Sequence, residues 1–410
     1  MEIIADLQIH SRYSRATSKD ISIENLEKYA RIKGLDLLGT GDFQHPLWKK
    51  EIDEKLIEDE NGILRTETGF PFLWQTEVSL IYSQDGKRRA VHLLVFSPNR
   101  ETSEKIIKYL STKGRVDYDG RPIFNINSRD FVKELKTIND EIEIIPAHCM
   151  TPWFGLFGSK SGFNSIEECF KDQADKIHAI ESGMSADPEM LWRLKEVASG
   201  KINIVSFSDA HSFWPWRIGR EATIFEFSEN KISYSSIIKA IRTGKGLKAT
   251  IETPPEYGKY HWDGHRFCKF SSDPKKTKQL KGICPVCGKS LTIGVESRLE
   301  EISYKEKGFK PENSKEFYKI LPLHELISLF YKIPLGGKIS WEKYNLLIKE
   351  FGNEFNILLK ASKEELIKKI DIKFADLIIK NRKGKIKVIP GYDGEYGKAV
   401  LEEEQSKLSF

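Results

Sequence analysis

The chain has 410 residues, 39% of them hydrophobic and 30% charged, and a net charge of +5. That length exceeds one ordinary core, so two or three domains are expected, and no apolar run is long enough to span a bilayer. The start, Met1-Glu2-Ile3-Ile4-Ala5-Asp6, is unlike a signal peptide, five cysteines make a poor disulfide framework, and the chain reads as a cytoplasmic monomer.

Strand-like and helix-like runs alternate over residues 1–245. Residues 3–9 read as a strand, and 22–33 as a helix capped by Ser22 and closed by Gly34. A strand follows at 35–40, then two strands at 73–82 and 89–96 around the turn Gln84-Asp85-Gly86. Next come a helix at 128–138, a strand at 142–147, a helix at 166–172, a strand at 179–181, a helix at 188–198 and a strand at 202–208. This alternation predicts parallel α/β organisation, closed or nearly closed.

Acids and histidines recur at the strand ends: Asp6 and His10, Asp42 and His45, Glu77, His92, His148, and Asp209 with His211. Five of the nine histidines fall at such positions. Independent core histidines have no reason to collect there, and buried carboxylates beside them are costly without a cation. In a parallel α/β barrel, the rim at the strand ends is where catalytic groups gather. Mixed His, Asp and Glu donors suit Zn²⁺, Mn²⁺ or Fe²⁺ better than Mg²⁺ alone. More donors than one ion can use imply two or three ions, a common device for hydrolysing phosphate esters.

Two aromatic loops follow metal-type residues: Trp153, Phe154 and Phe157 after His148, and Trp214, Trp216 and Arg217 after His211. Large aromatics in Gly- and Pro-containing loops predict a platform that stacks on an unpaired base.

Residues 251–255 read as a linker, and residues 246–300 as a small zinc module. Cys284-Pro285-Val286-Cys287-Gly288 is a zinc knuckle, and His265 and Cys268 repeat its two-residue gap, closing a four-ligand structural site. His261 is the alternative fourth ligand. Between Lys259 and Lys289 the cations Lys259, Arg266, Lys269, Lys275, Lys276, Lys278, Lys281 and Lys289 face only Asp263 and Asp273, a balance that fits a nucleic-acid backbone.

Residues 301–410 read as a mainly helical domain that grips DNA or covers the barrel. Helices are expected at 315–331, 340–351 and 363–369, an apolar run at 375–379, and a strand at 385–390 before the turn Gly391-Tyr392-Asp393-Gly394-Glu395-Tyr396-Gly397. The tail, Gln405-Ser406-Lys407-Leu408-Ser409-Phe410, resembles the start of a sliding-clamp binding peptide and makes the clamp an expected partner.

The segments Asp6-Leu7-Gln8-Ile9-His10-Ser11, Ala147-His148 and Ser208-Asp209-Ala210-His211, with the strands carrying Glu77 and His92, resemble the polymerase and histidinol phosphatase (PHP) superfamily. The resemblance implies a distorted (β/α)7 barrel holding a divalent cluster of Zn, Mn or Mg. It implies His10, Glu77 and Asp209 at one ion, Glu77 bridging to a second held by His92 and His148, and His211 at a third. His10, Glu77, His148, Asp209 and His211 would form the catalytic set. Three positions depart from the pattern: Gln8 replaces a histidine, Arg15 stands near a usual acid or histidine, and Phe43 replaces a histidine. Gln8 is read as a weak neutral ligand or a group bonded to the ligands, and Asp42 and His45 as replacements at the third ion.

The full order of PHP barrel, zinc module and helical tail resembles the archaeal-type endonuclease Q family. That resemblance implies a repair endonuclease that nicks damaged single- or double-stranded DNA 5′ to hypoxanthine, uracil, xanthine or an abasic site, flipping the lesion into a pocket. Two rival readings stay open: a PHP-type small-molecule phosphatase, and a non-catalytic DNA-binding subunit favoured by the departures at Gln8, Arg15 and Phe43.

Overall fold

The computed structural model describes residues 1–228 and 231–401. The clamp-like segment at 405–410 lies outside the described residues. The fold is mixed α/β. An eight-stranded sheet runs in the order Glu316–Lys319, Leu247–Glu252, Ala222–Glu226, Glu2–Asp6, Leu37–Gly39, Pro71–Leu73, Leu64–Arg65, Ile57–Glu58. A four-stranded sheet holds Ile123–Phe124, Gln75–Gln84, Lys87–Phe96 and Glu143–Pro146, and a separate parallel pair holds Ala179–Glu181 and Asn203–Val205.

Among the described residues no single hydrogen-bonded ring closes. The three sheets are instead joined at their strand ends. Cys149 N–H donates to Glu181 O (2.9 Å), linking the four-stranded sheet to the parallel pair, and His10 N–H donates to Ala210 O (3.0 Å), linking the eight-stranded sheet to the segment after that pair. The expected parallel organisation holds for some strand pairs and not for others, and the hairpin lies where its turn residues predict it. Glu2–Asp6 runs antiparallel to Ala222–Glu226, which runs antiparallel to Leu247–Glu252, and the 75–96 segment is an antiparallel hairpin. Its turn falls at Asp85 and Gly86, both at positive φ (52° and 73°), the geometry that a tight hairpin demands.

The first helix, Ile23–Lys33, forms where local chemistry specifies it. Ser22 accepts from Asn25 N–H at the start, and Gly34 closes the end at φ 96°. Its Lys33 is buried and reaches two other parts of the chain. The ammonium lies 2.7 Å from Glu354 Oε1 and donates to Pro215 O (2.8 Å), tying the C-terminal helices to the loop after His211.

Three sequence expectations fail here. The division at 245 falls inside the main sheet, because Leu247–Glu252 and Glu316–Lys319 pair in it; residues 251 and 252 are therefore strand, not linker. The helix expected over 315–331 is a strand, Glu316–Lys319, followed by a helix, Leu323–Tyr331; Pro322 cannot continue an upstream turn and starts the helix instead. The helix expected at 188–198 is two short turns, Pro188–Leu191 and Lys195–Ala198. Beyond 320 the chain is mainly helical, with Leu323–Tyr331, Lys338–Phe351, Lys363–Ile367 and Ile372–Arg382, before the hairpin of Lys387–Ile389 and Lys398–Val400. No helix among the described residues is long and apolar enough to cross a membrane.

Candidate metal centre

Glu77 lies fully buried inside the strand Gln75–Gln84. Its Oε2 is 3.2 Å from His10 Nε2, and its Oε1 is 2.7 Å from His92 Nδ1 and 3.5 Å from His148 Nε2. His92 Nδ1 and His148 Nε2 stand 3.1 Å apart. On the other side, Asp209 Oδ1 is 3.0 Å from His10 Nε2 and 3.7 Å from His211 Nδ1. Two donor sets thus adjoin, His10–Asp209–His211 and Glu77–His92–His148, each with its ligand atoms within 4.8 Å of one another. Donors held on one ion at about 2.1 Å stand about 3.0–3.4 Å apart in octahedral or tetrahedral arrangements, so these spacings fit a divalent cation. Gln8 donates through Nε2 to Glu77 Oε2 (2.9 Å), while its buried Oε1 has no partner. An orphaned amide oxygen beside carboxylates and imidazoles is a further sign of a site built for a cation.

At Glu77, His92 and His211 the electrostatics suit ligation, whereas at His10 they favour a ring proton that a cation would have to displace. Burial alone would raise the Glu77 pKa, but Arg121 and His92, with hydrogen bonds from His10 and His148, outweigh it and hold the carboxyl well below its usual range. Burial and the Arg121 charge push His92 down to about 3, which keeps a ring lone pair free. Burial opposes charge on His10, yet Asp42, with hydrogen bonds to Asp209 and Glu77, carries it well above the ordinary imidazole value. Burial likewise lowers His211.

The backbone is turned to deliver these groups. Asp42 (φ 38°), His148 (φ 33°) and Asp209 (φ 49°) each occupy the left-handed region just beyond a strand, at a cost on the order of 1 kcal/mol each. Gly183, at φ 61°, packs so closely on His148 that a Cβ there would lie 2.6 Å from the histidine Cβ.

Some predicted ligands do not join. Asp42 Oδ1 meets His10 Nδ1 at 3.0 Å, and its Oδ2 accepts from Ser11 N–H (2.6 Å) and Ser14 Oγ–H (2.9 Å), so it orients the His10 ring. His45 bonds the Asp117 carbonyl through Nε2 (3.1 Å) and stacks on Tyr13. Neither belongs to the two donor sets. Arg15 is exposed and pairs with Asp119 (3.1 Å). Arg121, 3.3 Å from Glu77 Oε1, was not legible in advance: it sits in an irregular loop with no motif around it.

A cavity of about 300 Å³ opens beside the cluster, lined by His92, His148, Asp209, Trp153, Phe154, Arg220, Glu221, Lys259, Tyr260 and Tyr396. Of the expected base platform, Phe154 stacks on His92 (4.3 Å between centroids) and Trp153 meets Tyr260 edge-on (5.3 Å). Phe157 is buried core instead. Trp214 and Trp216 stack on each other and pack against Trp341 of the C-terminal helices, and with Arg217 they lie outside the cavity lining. The aromatic residues that sequence reasoning missed, Tyr260 and Tyr396, come from the zinc-module approach and the Gly-rich turn at 391–397, far apart in sequence.

In the small module, His265, Cys268, Cys284 and Cys287 bring their donor atoms within 4.8 Å of one another, with Cys287 Sγ 3.6 Å from His265 Nδ1. About 3.5–3.8 Å is the spacing of tetrahedral zinc with thiolate and imidazole donors. His261 lies apart, its Nε2 3.8 Å from Glu296.

A mixed α/β fold that brings two His and carboxylate donor sets together beside an open cavity has the arrangement that metal-dependent hydrolases use. The lesion-specific endonuclease PfuEndoQ from Pyrococcus furiosus superposes with a TM-score of 0.87 at 29% identity, covering 100% of this chain and 98% of that one. Endonuclease Q in complex with a 27-mer duplex bearing an abasic lesion at its active site gives 0.86 at 29% identity, covering 98% of each. The MJ0043 protein of Methanocaldococcus jannaschii is 35% identical over 288 residues, 70% of this chain but only 34% of that protein, so the match spans about a third of its length. The family model of the MJ0043 C-terminal domain matches residues 322–385. The full-length likeness shows that this chain has the fold of the endonuclease Q-type proteins.

Proposed function

We propose that this chain is a metal-dependent DNA endonuclease that hydrolyses the phosphodiester 5′ to a deaminated base (hypoxanthine, uracil or xanthine) or an abasic site. The observation that carries this reading is the adjacency of the Glu77-centred donor cluster to the aromatic-rimmed cavity. His10, Glu77, His92, His148, Asp209 and His211 would hold the ions, with Gln8 as a neutral auxiliary. Divalent ions at these donors supply Lewis acidity to a phosphodiester and acidify water.

The chain's own groups do the rest. Asp42 fixes the His10 ring so that Nε2 faces Glu77 and Asp209. Arg121, beside Glu77 and a quarter exposed, can donate to a phosphate oxygen. The cavity would take the extruded nucleotide, with Trp153, Phe154 and Tyr260 offering ring faces and Arg220 and Lys259 offering donors. Flipping costs a few kcal/mol and least at damaged pairs, which itself favours lesions. The basic zinc module, residues 260–292, would grip the backbone, and the helices beyond 320 would brace the loop after His211 through Lys33 and Glu354.

The test compares a duplex carrying one deoxyinosine or abasic site with a small phosphomonoester, in Mg²⁺ or Mn²⁺. A single nick 5′ to the lesion, with DNA binding that weakens steeply as salt rises, supports the proposal. Turnover of the phosphomonoester alone would overturn it in favour of a phosphatase.

A further inference from the structure

Phe267 is the most exposed large hydrophobic side chain among the described residues, at 84%. It occupies the one-turn helix Arg266–Cys268, between two donors of the zinc set, His265 and Cys268. A lone exposed aromatic is ordinary on a loose loop. The backbone that carries this one is pinned on both sides. The Arg266 N–H donates to Asp393 (2.7 Å), the His265 ring meets Phe267 edge-on at 6.0 Å, and Lys269 ends the turn at φ 49°. The Arg266 guanidinium lies over the Phe267 ring, 5.2 Å from its centroid. The turn also adjoins the cavity rim: a Cβ on Gly394 would lie 3.3 Å from Arg266 Nη1 and 3.8 Å from the Tyr260 hydroxyl, and Tyr260 lines the cavity.

An exposed aromatic on a pinned turn beneath a cation, on a basic module next to the cavity proposed to take an extruded nucleotide, fits a duplex with one nucleotide out of its stack. We propose that Phe267 is a wedge that inserts into duplex DNA at the base step beside the lesion and stacks on the base left exposed when the damaged nucleotide leaves the helix. The ring replaces part of the lost base stacking, while Arg266 and Lys269 neutralise the flanking phosphates. The pinned turn presents the ring without rearrangement of the backbone, so insertion has only the side chain left to order. On an undamaged duplex the step is closed, and the module binds through phosphates alone.

This inference rests on the nuclease reading for the identity of the DNA, and binding can judge it separately from cutting. Equilibrium anisotropy would compare the full chain with Phe267→Ala and Phe267→Trp on two labelled duplexes of one sequence, one with an abasic site and one intact, and zinc content would be measured for each protein. The expected result is that Phe267→Ala, with its zinc retained, lowers the preference for the abasic duplex about tenfold, within the range of one aromatic–base stack, and that Phe267→Trp restores it. An undiminished preference in Phe267→Ala would overturn the wedge. So would equal weakening on both duplexes, which marks a general backbone contact. A parent chain that holds the preference but never nicks would count against the nuclease reading and leave the wedge supported.

Discussion

His10 and Asp42 share a 3.0 Å hydrogen bond between Nδ1 and Oδ1, and that bond decides which ring nitrogen His10 turns toward Glu77 and Asp209. Asp42 must also accept from Ser11 N–H through its second oxygen. In Asp42→Asn the amide oxygen is claimed by Ser11, so the amide nitrogen faces His10 Nδ1 and forces the ring proton onto Nε2. The expected loss is about 10–100-fold in metal affinity, measured by metal titration, because partners that orient ligands are worth that much. Binding equal to the parent's would remove Asp42 from the site.

The zinc module separates two histidines. His265→Ala is expected to lose the structural zinc and the fold of residues 260–292, because a module with so little core depends on its ion. His261→Ala is expected to keep it, since His261 lies against Glu296. Elemental analysis of the two purified variants distinguishes them, and zinc lost from His261→Ala but kept by His265→Ala would reverse the assignment.

Lys33 and Glu354 form a buried pair between the first helix and the C-terminal helices, exposed at 1% and 0%. Lys33→Met strands the Glu354 carboxylate, with only Leu323 N–H and the Tyr344 hydroxyl left to it. The expected destabilisation is about 3–5 kcal/mol by chemical denaturation, and Lys33→Met with Glu354→Leu together should cost less than Lys33→Met alone. A single variant as stable as the parent would show that the pair contributes nothing net.

Stability should fall as pH rises. Burial, reinforced by the Asp187 charge, lifts the Glu252 carboxyl from its usual 4.5 to about 8, and its oxygens meet the hydroxyls of Thr250 (2.5 Å), Ser182 and Ser206 (both 3.0 Å). Between those two values the folded chain binds more protons than the unfolded one. The contribution is therefore whole below the unfolded pKa and is lost as pH climbs through about 8, worth up to a few kcal/mol. Denaturation midpoints at pH 5 and pH 8.5 should show the drop, and Glu252→Gln should flatten it. An identical slope in that variant would assign the drop elsewhere.

Much of the site was legible because its chemistry recurs at strand ends. The donors His10, Glu77, His92, His148, Asp209 and His211 each follow or occupy an apolar run, and the two-residue gaps of the zinc set are local. The first helix was legible for the same reason, with both caps written in adjacent residues. What failed depends on distant partners. His45 follows a strand as the ligands do, yet its ring is claimed by Tyr13 and the Asp117 carbonyl. Trp214 and Trp216 were expected at a base, but Trp341 lies across the fold to cover them. Glu316–Lys319 carries a pattern compatible with a helix and becomes a strand because Leu247–Glu252 offers it an edge.

The most direct measurement is nicking of a duplex with one abasic site by the parent and by Glu77→Ala, at matched DNA occupancy. Glu77 joins the two donor sets, its Oε2 facing His10 and its Oε1 facing His92 and His148. The account predicts one divalent-dependent cut 5′ to the lesion by the parent, and binding without cutting by the variant. Cutting by Glu77→Ala at the parent's rate would contradict it.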